Sequence, residues 1–208
     1  VSAALSDTLF LSSFGVTPHT AMTLFIPNTY EVYWTISLEA LFERMQKEYR
    51  RFWRQERLDN AAKIGLTPTE VTILASIVEE ETNKAVEKPV VAGLYLNRLR
   101  KGMLLQSDPT AKFASGTFEL TQILFSHTAI DSPYNTYRYA GLPPGPIRMP
   151  SIESIDAVLH HTPHNYIFMC AKETLNGEHY FTASLAEHNR YAAKYHAAVR
   201  RWKATKNK

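Results

Sequence analysis

Three glutamates stand in a row at Glu79, Glu80 and Glu81, directly after the apolar run Val71–Val78 and before Thr82. A glutamate does chemistry when it is placed to hold a proton that it would lose in water. Burial penalises the ionised carboxylate, and an acid still protonated near neutral pH can act as a general acid. Val71, Leu74, Ala75 and Val78 recur at i, i+3, i+4 and i+7 and define the apolar face of a helix. At roughly 100° per residue, Glu81 falls about 35° from the direction of that face, and Glu79 and Glu80 about 125° and 135° away. The pattern predicts one carboxyl at the edge of the core, Glu81, and two in water. Three surface charges near a helix end are the ordinary reading of such a triplet. The angular placement and the neighbouring motifs reverse that reading for Glu81 alone.

Further polar groups stand where regular structure does not explain them. Gln106, Ser107 and Asp108 lie between Leu105 and Pro109. They either present hydrogen-bonding groups to a ligand, or Ser107 or Asp108 caps a short following helix. The stretch Ser132–Ile147 crowds proline, glycine and tyrosine without helical or strand periodicity and predicts a long, stiff loop. Its tyrosines offer flat faces with a polar edge, suited to sugars as well as to cores. Ser184 and Glu187 form a capping box, which accounts for Glu187 but leaves His188 and Asn189 free to reach a cleft.

The elements that must position these groups follow from the same patterns. Thr67, Pro68 and Glu70 open the central helix as N-cap, first helical residue and T-x-x-E partner. Residues 1–36 carry the weakest signals; within them Thr23–Trp34 reads as extended segments flanking a turn at Pro27–Asn28, with Tyr30, Tyr33 and Trp34 either packing or lining a carbohydrate groove. Ser37 caps a helix with an apolar face from Leu38 to Trp53 and a basic, solvated opposite face through Arg57, ended by Gly65. A helix from Val90 to Lys101 follows Pro89 and carries Asn97 and Arg98. Ser151 caps a short helix through His160. Tyr166–Ala171 and His179–Thr182 read as strands paired across the turn signal Asn176–Gly177. A last helix runs to about Trp202 and ends in a basic tail. The fold class is α+β, mainly helical, with a small antiparallel hairpin.

Composition narrows the chemistry. The chain has 208 residues, 45% hydrophobic and 21% charged, as in soluble globular proteins. A net charge of +3 is too mild to argue for nucleic acid. Cys170 is the only cysteine, so an internal disulfide and a multi-cysteine metal site are excluded. It lies in an apolar strand, where thiols are normally inert. His160, His161 and His164 straddle Pro163 without zinc-site spacing, and no phosphate-binding loop appears. No run of 18 or more apolar residues is present. Beginning at Val1, the chain reads as a fragment or mature form.

Taken together, Leu74–Thr82, Asn97–Met103, Leu105–Thr110, Tyr134–Tyr137, Gly141–Pro146 and Glu187–Asn189, with Phe25–Tyr30 upstream, resemble the YceG-like family, the MltG type of endolytic murein transglycosylase. The resemblance covers most of the chain. It implies a bacterial enzyme that cleaves nascent peptidoglycan strands internally, with lysozyme-like logic around one catalytic glutamate. The family's catalytic glutamate precedes Thr in E-x-E-T, which falls on Glu81. Glu80 stands where the family often has Lys, and its charge is expected to raise the pKa of Glu81 further.

The resemblance also implies a division into residues 1–36, an extension holding the end of a LysM-like subdomain, and 37–208, the catalytic domain. Asn97, Gln106, Ser107, Asp108, Tyr134, Asn135, Thr136, Tyr137, His188 and Asn189 are the expected substrate-binding residues. The mechanism implied is protonation of the glycosidic oxygen by Glu81, then ring closure by the MurNAc 6-hydroxyl, with no metal or organic cofactor. A muramidase using Asp108 as second carboxylate and a non-catalytic peptidoglycan-binding scaffold are the alternatives. Glycan strands are the expected partner and peptidoglycan synthases a candidate one. Placement is expected at the outer, periplasmic face of the inner membrane, through a single-pass anchor outside this fragment.

Overall fold

The computed structural model describes residues 3–120 and 123–206; Asn207 and Lys208 of the basic tail lie outside these. Nine α-helices and one two-stranded sheet follow along the described residues: α1 (Thr8–Ser12), α2 (Leu38–Phe52), α3 (Gln55–Ile64), α4 (Pro68–Glu81), α5 (Lys88–Arg100), α6 (Asp108–Ser115), α7 (Phe125–Thr128), α8 (Ile152–Leu159), β1 (Phe168–Ala171), β2 (His179–Thr182) and α9 (Leu185–Lys206). The architecture is α+β and mainly helical.

Helix α4 is the axis of the fold. Glu70 Oε2 accepts the Thr67 backbone N–H at 2.8 Å, and Thr67 Oγ1 accepts the Glu70 N–H at 3.2 Å, so the capping box closes. Every residue from Val71 to Val78 is buried. This helix therefore has no solvated face over that stretch: α3, α5, α6 and α8 surround it. Ser76 is accommodated because its hydroxyl donates to the Ile73 carbonyl and accepts the Ile147 N–H.

The surround corrects the expected fate of Glu79. It does not point into water. Its Oε2 accepts hydrogen bonds from the hydroxyls of Ser151 and Ser154, at the start of α8, and from Lys88 at 3.3 Å. Burial alone would raise its pKa; the Ser151 and Ser154 bonds and the Lys88 charge outweigh this and lower it to about 2.

Two further expectations are corrected. The segment from Ser37 to Gly65 is two helices, broken at Trp53–Arg54. Arg57 leaves the solvated face to bind Asp156 through its Nη2, at 3.0 and 3.2 Å. The expected extended stretch Thr23–Trp34 opens with the end of a 3-10 turn, Ala21–Leu24, and is free of helix only from Phe25 onward. The rings of Phe10, Phe14 and Phe25 gather around Phe42 of α2, with centroids 5.0, 5.3 and 5.5 Å away. Trp34 is fully exposed and Tyr33 is 87% exposed.

The hairpin pairs Phe168 with Thr182 and Ala171 with His179. Its loop, Lys172–Glu178, is longer than the two-residue turn that Asn176–Gly177 suggests, with Leu175 and Gly177 both at positive φ. Gly145 allows a close approach: a Cβ there would lie 2.0 Å from the His19 carbonyl oxygen. The N-terminal segment and the proline-rich loop therefore meet backbone to backbone.

Candidate active site

Glu81 is the last residue of α4, and the backbone turns extended at Thr82. Its Oε1 accepts two hydrogen bonds, one from the Tyr95 hydroxyl and one from the Ser107 hydroxyl, each at 2.5 Å. Tyr95 comes from the buried side of α5 and Ser107 from the N-cap position of α6; both are buried. The Ser107 hydroxyl makes no cap bond to α6, since Glu81 takes it.

Local backbone geometry aims Ser107. Gln106 adopts φ of 50°, the left-handed region that non-glycine residues seldom enter. The conformation is held from both sides. The Gln106 N–H donates to the Thr136 carbonyl, the Ser107 N–H donates to Thr136 Oγ1, and Gln106 Oε1 accepts from Arg98 at 2.6 Å. Arg98 also donates to the carbonyls of Leu104 and Ile167, so one buried guanidinium ties α5 to this turn and to the segment entering β1.

Burial pushes the Glu81 pKa up; the Ser107 and Tyr95 hydrogen bonds oppose this, Asp108 adds to it, and His179 opposes it, with a net rise. The negative charge that contributes is Asp108. Glu80 is instead ion-paired with Arg148. Tyr95 is pushed well above the ordinary phenol value by burial and then by Glu81, so it remains a donor. Glu81 Oε2 accepts no hydrogen bond among the described residues. Two donors on Oε1 leave Oε2 as the oxygen on which a proton would sit.

Glu81 opens on a cleft of ≈ 720 Å³. Gln106, Asp108 and Tyr137 line it beside the acid; β1 and His179 form a second side, and His188 and Asn189 on α9 a third. Asp108 Oδ1 accepts the Tyr137 hydroxyl at 2.5 Å. His188 stacks on Phe168 with centroids 5.4 Å apart, and burial lowers its pKa. Among the described residues no three His, Cys, Asp or Glu side chains converge as metal ligands. A second concavity, ≈ 520 Å³, lies between Ile26–Tyr30 and α2 and α3, lined by Arg51, Arg54 and Arg57 together with Glu48 and Glu56.

Of the expected binding residues, Gln106, Asp108, Tyr137, His188 and Asn189 face the cleft with Glu81, and Ser107 touches Glu81 from behind. Four lie elsewhere. Asn97 donates its amide to the carbonyls of His164 and Tyr166. Asn135 is fully buried and donates to the carbonyls of Thr128 and Ile130. Thr136 supports the Ser107 turn, and the Tyr134 hydroxyl meets His19 Nδ1 at 3.1 Å. Asn97, Asn135 and Thr136 hold backbone in place, Tyr134 meets a side chain, and none of the four lines the cleft. The sequence reading missed Tyr95, Arg98 and His179. Only Arg98 carried a local signal, as one of three cations, with Arg100 and Lys101, inside the Asn97–Met103 motif.

The model of the YceG-like family matches residues 3–194. The chain is 37% identical over 162 residues to the endolytic murein transglycosylase of Bacillus subtilis (strain 168), covering 76% of this chain and 43% of that protein. It is 30% identical over 177 residues to the endolytic murein transglycosylase of Streptococcus pneumoniae serotype 2 (strain D39 / NCTC 7466), covering 81% and 31%. A crystal structure of a yceG-like protein from Listeria monocytogenes superposes with a TM-score of 0.75 at 31% identity, over 90% of this chain and 65% of that one. The chain thus spans less than half the length of these two transglycosylases. By the extent of the match and the level of identity, the chain belongs to the YceG-like family.

Proposed function

We propose that this chain carries the catalytic machinery of an endolytic peptidoglycan lytic transglycosylase, with Glu81 as its single acid and base. The observation that carries the reading is the Glu81 carboxyl, fixed at Oε1 by Tyr95 and Ser107, on a residue that lines the cleft, with Oε2 accepting no hydrogen bond among the described residues. In the first step the Oε2 proton passes to the glycosidic oxygen between MurNAc and GlcNAc, and the C1–O bond breaks through an oxocarbenium-like transition state. Tyr95 and Ser107 stabilise the carboxylate that remains. Oε2 then takes the proton of the MurNAc 6-hydroxyl as O6 bonds to C1. The ring closes, no water is consumed, and Glu81 ends protonated as it began. Gln106, Tyr137, His188 and Asn189 orient the sugars.

The relatives' names support murein as the substrate. Within this reading residues 37–208 carry the chemistry, and residues 1–36 buttress the proline-rich loop through His19. The site works on strands at the wall side of the membrane, beside peptidoglycan synthases, and an anchor outside this sequence holds it there. No single helix among the described residues is long and apolar enough to cross a membrane.

Asp108 gives one rival reading a specific basis. A carboxylate in the same cleft could direct water at C1, as in glycoside hydrolysis. Mass spectrometry of products from uncrosslinked glycan strands separates the two. Transglycosylation gives 1,6-anhydroMurNAc ends, and reducing MurNAc ends would overturn the proposal.

A further inference from the structure

Glu87 is buried just before α5, and the mechanism above does not use it. Its Oε1 accepts the backbone N–H of His179 at 2.8 Å. Its Oε2 accepts the imidazole Nδ1–H of His179 at 2.8 Å and the Thr82 hydroxyl at 3.1 Å. A carboxylate has only lone pairs to offer, so the imidazole hydrogen facing it sits on Nδ1. In the neutral ring Nε2 keeps its lone pair, and no described residue donates to it. His179 lines the same cleft as Glu81. Thr82 follows Glu81 directly, so the chain of bonds from Thr82 through Glu87 to His179 ties the hairpin to the end of α4 that bears the acid.

We propose that Glu87 and His179 form a substrate-orienting dyad, in which His179 Nε2 accepts a hydrogen bond from an O–H or acetamido N–H of the glycan lying against Glu81. Glu87 sets the tautomer, and the tautomer makes the contact an acceptor. A glycan offers many donors along its length, and one fixed acceptor beside the acid selects the placement in which a glycosidic oxygen meets Oε2. The inference rests on the cleft being a glycan site.

Glu87→Gln tests it without removing packing. The glutamine oxygen can still accept the His179 backbone N–H, while its amide now donates to Nδ1, which shifts the imidazole hydrogen to Nε2 and turns the acceptor into a donor. Side-chain ¹⁵N NMR of the parent shows His179 as the Nδ1–H tautomer, and the variant shows Nε2–H. On uncrosslinked strands kcat/KM falls about tenfold, chiefly through KM, the scale of one lost hydrogen bond plus an unpaired donor. His179→Phe loses as much, and the double variant loses no more. An Nε2–H tautomer in the parent overturns the proposal. So does a folded, tautomer-switched Glu87→Gln that cleaves like the parent. Should Glu87→Gln unfold, parent-like cleavage by His179→Phe overturns it instead. Failure of the transglycosylase reading looks different, as a parent that releases no anhydro ends; the tautomer measurement needs no substrate and decides the dyad's geometry regardless.

Discussion

Replacing Tyr95 by phenylalanine removes one of the two donors on Glu81 Oε1 and keeps the buried ring. A hydrogen bond to a charged group is worth about 1.5–3 kcal/mol, and one between neutral groups about 0.5–1.5 kcal/mol. The Tyr95 hydroxyl therefore favours the Glu81 carboxylate over the acid by about 1–2 kcal/mol, roughly one pKa unit at 1.36 kcal/mol per unit. Its loss raises the Glu81 pKa, which burial has already pushed up. The more apolar ring acts in the same direction. In the proposed mechanism activity needs the protonated acid, so kcat/KM declines as pH rises through this pKa. In Tyr95→Phe that alkaline limb moves to higher pH by about one unit. The assay is kcat/KM against pH on uncrosslinked glycan strands, with Glu81→Gln as blank. Ser107→Ala must shift the limb the same way, because Ser107 donates to the same oxygen. A limb that stays in place in both variants, or moves down, refutes the assignment of Glu81 as the titrating acid.

Other outcomes follow from the same contacts. Glu79, with its pKa lowered to about 2, stabilises the fold fully above the unfolded value near 4.5, and this stabilisation is lost as pH falls through about 2. The shift corresponds to about 3 kcal/mol, reduced by solvent screening to about 1–2 kcal/mol, and acid titration of stability in the parent against Glu79→Gln measures it. Asn135→Ala leaves buried loop carbonyls without their donor and costs about 1–3 kcal/mol, or a fall in Tm of several degrees in thermal unfolding. Gly145→Ala forces the His19 backbone away from the proline-rich loop and costs about 1–3 kcal/mol, read in the same way.

What could be read from the sequence was local. The Thr67 capping box, the pairing of β1 with β2 and the Ser184 cap of α9 are each written within a few residues, and each forms. The lean of Glu81 towards the core also follows from helix periodicity. What periodicity could not give was the number of neighbours around α4. A pattern with one apolar face places Glu79 in water, whereas α8, some 70 residues later, brings Ser151 and Ser154 against it. The placement of Arg57 has the same origin, since its partner Asp156 lies on α8. Asn97 and Asn135 show a different limit. An amide that satisfies backbone carbonyls inside a turn has the same local sequence as one aimed at a ligand. Tyr95 looked like ordinary core; only its contact with Glu81 distinguishes it.

The reading stands on one of three adjacent glutamates. The most direct measurement compares anhydro-end release from uncrosslinked strands by the parent, Glu79→Gln, Glu80→Gln and Glu81→Gln, with thermal unfolding of each. The structure predicts that Glu81→Gln stays folded and releases none, while Glu80→Gln works near the parental rate and Glu79→Gln loses stability at neutral pH while still releasing anhydro ends. Parent-like release by Glu81→Gln, or its abolition in folded Glu80→Gln instead, would contradict it.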